Sequence, residues 1–103
     1  MEITWHELKK KLPNIKIIDI RENYLYSILR IKDSINIPYQ FLILNPNDYL
    51  KKDIDYYLVC EHGHKSKLVS EILNKDGFIT YSIIGGIKEY QKIEKKIIKN
   101  ITL

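Results

Sequence analysis

Asp55-Tyr56-Tyr57-Leu58-Val59-Cys60-Glu61-His62-Gly63-His64-Lys65-Ser66 is the stretch on which the fold turns. Its first half, Asp55 to Cys60, is mostly aromatic and branched apolar residues with no turn former inside it, the pattern of a strand buried on both faces. From Ser66 to Asn74, Leu68, Val69, Ile72 and Leu73 recur at the spacing of a core-facing helix. Only the five residues Glu61 to Lys65 join the two, so the connection must curl tightly, with Ser66 expected at the helix N-cap. A buried strand that leads directly into an amphipathic helix is a unit of an α/β sheet.

The flanking sequence repeats that alternation. Thr4 followed by Glu7 is a capping-box pattern, and Trp5, Leu8 and Leu12 predict a helix from about Thr4 to Leu12, ended by Pro13-Asn14. Ile15, Ile17, Ile18 and Ile20 predict a second buried strand with Asp19 inside it. A brief helix is expected from Glu22 to Leu29, a short strand over Ser34 to Ile37 stopped by Pro38, and a loose helix through Phe41 and Leu44. Beyond the central unit, Gly77 supplies a left-handed stop and Phe78 to Ile84 reads as a strand. Gly85-Gly86 makes a turn, and Ile87, Tyr90, Ile93 and Ile97 suggest a last helix. No repeat or linker divides the chain, so residues 1–103 are expected to form one domain: a mostly parallel sheet with helices on both faces.

Composition narrows the function classes. With 103 residues, 45% hydrophobic and 29% charged, the chain can build one core and reads as a soluble globular protein. The net charge of +4 and pI near 9.1 raise the question of nucleic acid or membrane, but Lys9, Lys10 and Lys11 form the only triple run and Lys95 and Lys96 the only late pair. Neither is interleaved with aromatics, so solvated surface is expected, with no nucleic-acid or membrane partner and a slight leaning toward an acidic protein partner. The N-terminal residues lack the apolar run of a signal peptide and no segment is long enough to span a bilayer, which predicts a cytoplasmic protein. A single cysteine, Cys60, excludes an internal disulfide.

Cys60 is either a small buried hydrophobe closing a strand or a reactive group. In open parallel sheets ligands bind beyond the carboxyl ends of strands, where helix N-termini present free amides. Inward amides, the positive end of a helix dipole and the charge of Lys65 would all favour a thiolate at Cys60, and the same donors would hold a persulfide. Gly63 is expected at mid-loop because a side chain there would strain the turn or fill the pocket. Asp19 and Arg21, at the end of a neighbouring strand, read either as groups that tune the site or, by the stronger reading, as a buried or semi-buried pair bracing the loop base. His62 and His64 add metal-type donors beside Cys60, but alternate residues on so short a loop do not converge on one tetrahedral ion. They are expected at the pocket mouth, with no metal and no cofactor.

Four blocks resemble the rhodanese-like domain family over nearly the whole length. Ile17-Ile18-Asp19-Ile20-Arg21-Glu22 is similar to its aspartate, hydrophobe, arginine strand end, and Ser34-Ile35-Asn36-Ile37-Pro38 to its alanine-X-asparagine-isoleucine-proline segment. Cys60 to Ser66 resembles its active loop, and Gly85-Gly86-Ile87-Lys88-Glu89-Tyr90 its double glycine followed by tryptophan, with Tyr90 in the tryptophan's place. The resemblance implies a five-stranded sheet and a sulfurtransferase. In it Cys60 takes a sulfane sulfur from thiosulfate or a persulfide and passes it to cyanide, a thiol or a protein cysteine, while Glu61, His62, Gly63, His64, Lys65 and Ser66 surround the substrate and Asp19 and Arg21 support them. Glu61 and Lys65 stand where the family often has basic residues, an arginine at the second of these positions. A lysine meets an oxyanion as a point charge rather than as a fork, which shifts the expectation toward a persulfide donor or a protein partner. Arg30-Ile31-Lys32-Asp33 replaces the family's glycine-histidine, with an expected effect on packing alone. Two other readings share the fold: a catalytically silent binding module, and a phosphatase or arsenate reductase, which would need a wider loop with an arginine clamp.

Overall fold

The computed structural model describes residues 1–93, where strand and helix alternate. In chain order they are β1 (Glu2–Ile3), α1 (Trp5–Lys9), β2 (Lys16–Asp19), α2 (Asn23–Ile28), β3 (Ile35–Asn36), α3 (Tyr39–Leu44), a 3-10 turn (Pro46–Asp48), β4 (Asp55–Val59), α4 (His64–Lys75) and β5 (Ile79–Ile83). A helical stretch over 86–93, α5, closes the described chain. The predicted Ile97, Lys95 and Lys96 lie outside the described residues.

The five strands form one sheet in the order β1-β5-β4-β2-β3, and every pair is parallel. The expectation of a mostly parallel sheet is thus sharpened to a wholly parallel one. Strand β4 is central because it has the most continuous apolar run, and its alternation splits the core in two. Tyr56, Leu58 and Cys60 pack with Ile18, Ile20, Val69 and Leu73 on the α3 and α4 side. Tyr57 and Val59 pack with Ile3, Trp5, Leu8 and Ile87 on the α1 and α5 side, where Tyr57 stacks on Tyr81 with ring centroids 5.1 Å apart.

Three local expectations change. Strand β1 was not expected; at two residues it is too short for any periodicity to show, and it forms only because β5 offers a free edge. The capping box at Thr4 and Glu7 is present, but α1 stops at Lys9 rather than Leu12, since the chain turns toward Pro13 and leaves Leu12 exposed. Helix α4 starts at His64, so Ser66 lies in its first turn and Gly63 is the N-cap. Gly77, with φ of +95°, does follow α4 in the left-handed region as predicted.

Parallel register positions the site. Asp19 of β2 lies beside Val59 of β4, and the Ile20 amide still donates to the Val59 carbonyl at 3.0 Å. The two strands therefore leave the sheet together, bringing Arg21 and Glu61 to the same rim.

Candidate active site

Cys60 follows the last residue of β4, and the turn behind it closes on its sulfur. The backbone amides of Gly63 and Ser66 both donate to Sγ, at 3.2 and 3.3 Å. The Ser66 hydroxyl lies 3.3 Å from the same sulfur. Helix α4 begins inside the loop, and this produces the convergence: the first N–H groups of a helix have no intrahelical acceptor, and that of Ser66 finds one in Cys60. Donors on one side of a sulfur atom, together with the positive end of a twelve-residue helix, favour negative charge on it.

Gly63 makes the turn possible. Its φ of +97° is left-handed, and a Cβ there would lie 2.9 Å from the Gly85 amide nitrogen. The side chain would collide with backbone rather than fill the pocket, which settles which of the two expected penalties applies. Gly86 is tighter still: with φ of +57°, its Cβ would fall 2.3 Å from the Cys60 carbonyl oxygen and 2.7 Å from that of Glu61. Those carbonyls accept from the first turn of α5, Cys60 from the Ile87 amide at 2.9 Å and Glu61 from the Lys88 amide at 3.0 Å. The Trp5 indole donates to the Gly86 carbonyl at 3.1 Å. The double glycine is thus a floor on which the loop rests.

Beside the buried sulfur opens a pocket of about 270 Å3, lined in part by Ile20, Leu25, Tyr39, Cys60, His62 and Lys65. Cys60 contributes to the core on one side and borders a cavity on the other. Glu61 and His64 also border the cavity; His62 and His64 are exposed, with rings 6.3 Å apart. Gly63 and Ser66 lie behind the sulfur and reach it through their amides.

Asp19 and Arg21 form the predicted brace. Arg21 Nε donates to Asp19 Oδ1 and Oδ2 at 3.0 and 3.1 Å, and Nη2 to Oδ2 at 2.8 Å and to the Leu29 carbonyl at 2.6 Å. Nη1 reaches Glu61 at 3.5 Å. Burial works against the guanidinium charge, but the Asp19 bonds and the charges of Asp19 and Glu61 outweigh it and hold its pKa above the ordinary value. All three guanidinium nitrogens are engaged, so no free fork is available to clamp a phosphate. Asn36 fastens the same rim, donating to the carbonyls of Asp19 and Arg21 at 2.9 Å each. Glu61 also meets Lys88 at 3.6 Å. Lys65 is exposed, with its ammonium 4.1 Å from the centre of the Tyr39 ring.

Sequence reasoning missed Tyr39, Glu22 and Leu25 on the pocket wall, which adjoin Cys60 only through the tertiary fold. It also missed Ser82, fully buried on β5, whose hydroxyl lies 2.6 Å from that of Ser66. A signal for Ser82 existed. Thr80 and Ser82 alternate along an otherwise apolar strand, while Ser66, Ser70 and Asn74 recur every four residues on α4. The two polar stripes meet, with Ser70 and Thr80 hydroxyls 2.7 Å apart.

Comparison with known proteins gives a consistent answer. The family model described as Rhodanese-like domain matches residues 4–93. A rhodanese-like domain protein from Staphylococcus aureus superposes with a TM-score of 0.77 at 30% identity, over 85% of this chain and 89% of that one. A rhodanese-related protein from Thermoplasma volcanium does so with a TM-score of 0.80 at 26% identity, over 88% and 90%. Among curated proteins, adenylyltransferase and sulfurtransferase uba4 of Ogataea parapolymorpha is 29% identical over 77 residues. That match covers 74% of this chain but only 20% of the relative's length. Among the described residues no helix is long and apolar enough to cross a membrane.

Proposed function

The chain belongs to the rhodanese-like domain family, and from that premise we propose that it is a sulfurtransferase carrying a sulfane sulfur on Cys60. The observation that carries the reading is the convergence of the Gly63 and Ser66 amides on Sγ, with a cavity open beside the same atom. A core cysteine needs neither. The uba4 relative has sulfurtransferase in its name, which supports the same chemistry.

With thiosulfate as donor, the Cys60 thiolate attacks the outer sulfur. The bond between the two sulfur atoms of the donor breaks, sulfite leaves with the electron pair, and Cys60 becomes a persulfide whose negative charge rests on its terminal sulfur. An acceptor thiolate then attacks that terminal atom, takes it as a new persulfide, and Cys60 departs as a thiolate. An organic persulfide donor follows the same course, with a thiolate as leaving group. One hard transfer becomes two displacements at sulfur, and preorganised amides stabilise charge throughout without reorganising.

The pocket wall bears on the donor. Arg21 is committed to Asp19 and Glu61, and Glu61 and Glu22 add carboxylates, leaving Lys65 as the exposed lysine on the wall. A dianionic donor finds weak complementarity there. A persulfide with an apolar body matches the Ile20, Leu25 and Tyr39 surface better, and we propose that class as the preferred donor. Incubating the protein with thiosulfate, and separately with an organic persulfide, and weighing it intact tests the proposal. A gain of one sulfur atom is expected, faster with the persulfide and absent in Cys60→Ala; no gain with either donor refutes it.

A further inference from the structure

The buried hydroxyl of Ser82 has no part in the chemistry above, yet it sits one hydrogen bond from the reactive centre. Ser66 Oγ lies 3.3 Å from Cys60 Sγ, 3.3 Å from the Gly63 carbonyl oxygen and 2.6 Å from Ser82 Oγ. Ser82 Oγ is in turn 3.4 Å from the Gly63 carbonyl oxygen. Both serines are fully buried. Counting protons then leaves little choice.

While Cys60 is a thiol, its S–H donates to Ser66 Oγ, and the 2.6 Å contact can run in either direction, with the remaining hydroxyl proton turned to the Gly63 carbonyl. Once the sulfur ionises it can only accept. Ser66 must then turn its proton to the sulfur, because otherwise a lone pair would face the charge. The 2.6 Å contact next to it now has a single possible direction: Ser82 donates to Ser66. Gly63 loses little by this, since as the N-cap its carbonyl also begins the α4 ladder. The resulting chain, from Ser82 to Ser66 to the sulfur, is charge-assisted and polarises in one direction, which makes it stronger than the same pair beside a neutral thiol.

We propose that Ser82 is a positioning residue for the ionised sulfur, acting through Ser66 to hold a hydroxyl proton on Cys60. This deepens the sulfur-transfer reading and rests on Cys60 reacting as a thiolate. The seam supplies its own control: the Ser70–Thr80 pair, one helical turn along α4, is equally buried and makes a similar 2.7 Å contact with no bond to the sulfur.

Cys60 is the only cysteine of the chain, so alkylation by iodoacetamide reports on it alone. The test compares pH profiles of alkylation for the unsubstituted protein, Ser82→Ala and Ser70→Ala. Ser82→Ala is expected to react roughly three to ten times more slowly on the acidic limb, as befits the loss of about one ordinary hydrogen bond that reaches the charge only through Ser66. At alkaline pH, where ionisation is complete, it should match or exceed the unsubstituted rate, because a less stabilised thiolate is the better nucleophile. Ser70→Ala should follow the unsubstituted profile, and Ser82→Thr, which restores the hydroxyl, should recover it. The other ionisable groups of the pocket, Arg21, Glu22, Tyr39, Glu61, His62, His64 and Lys65, are the same in every variant. A profile for Ser82→Ala that coincides with Ser70→Ala, or a loss of rate equal at all pH values, overturns the proposal. Alkylation needs no sulfur donor, so a failure to load sulfur would count against the sulfurtransferase reading alone.

Discussion

Behind one wall of the pocket, Asp19 and Arg21 are buried and saturated with partners, 0% and 8% exposed; on the other, His62, His64 and Lys65 stand in solvent where the loop enters α4. Both walls carry charge, but only the second can spend it on a solute. Arg21 cannot reach an incoming anion without abandoning Asp19, and an unpaired buried carboxylate costs more than a surface contact returns. Lys65 faces no such cost, since its ammonium rests on the Tyr39 ring, an interaction worth about 0.5–1 kcal/mol at exposed sites. Charge that leaves the sheet at a strand end becomes scaffold, while charge at the first turn of a helix remains available.

That contrast can be broken at the scaffold first. Asp19→Ala leaves the Arg21 guanidinium buried with its main partner gone, and is expected to cost about 3–5 kcal/mol of stability by urea denaturation. A cost under about 1 kcal/mol would mean the wall is not a brace at all. Gly86→Ala attacks the floor beneath the same rim. A left-handed alanine costs about 1–2 kcal/mol and the collision with the Cys60 and Glu61 carbonyls adds about 1–3 more, so a loss of about 2–5 kcal/mol is expected, together with slower sulfur loading. Stability retained with full loading would show that the loop does not rest on the double glycine. The smallest effect belongs to the open wall. Lys65→Met should lower stability by no more than about 1 kcal/mol, the worth of the Tyr39 contact, yet raise KM for thiosulfate roughly fivefold at low salt, with kcat little altered and the difference fading as salt screens the charge. An unchanged KM would remove Lys65 from donor binding.

Much of this was readable in the chain. The buried β2 and β4 runs, the α4 periodicity and the glycines at 63, 77, 85 and 86 are local signals, because a strand buried on both faces and a left-handed turn restrict residue type whatever surrounds them. The start of α4 was less legible. Ser66 looked like a cap because its hydroxyl suits one, and only the structure shows that Gly63 takes that place while the Ser66 amide turns to the sulfur. Strand β1 was invisible for a related reason: two residues carry no pattern, and the edge of β5 alone makes them a strand.

The order of apolar runs and turn formers along the chain was enough to settle an α/β alternation and to single out Cys60 at the end of a buried strand, since periodicity and backbone restriction act over a few residues. The fold alone decided who meets the sulfur: that Tyr39 and Leu25 wall its cavity, that Arg21 is spoken for, and that Ser82 stands behind Ser66. Those pairings join residues far apart in sequence, and their strength comes from burial and direction, neither of which exists until the sheet has closed around them.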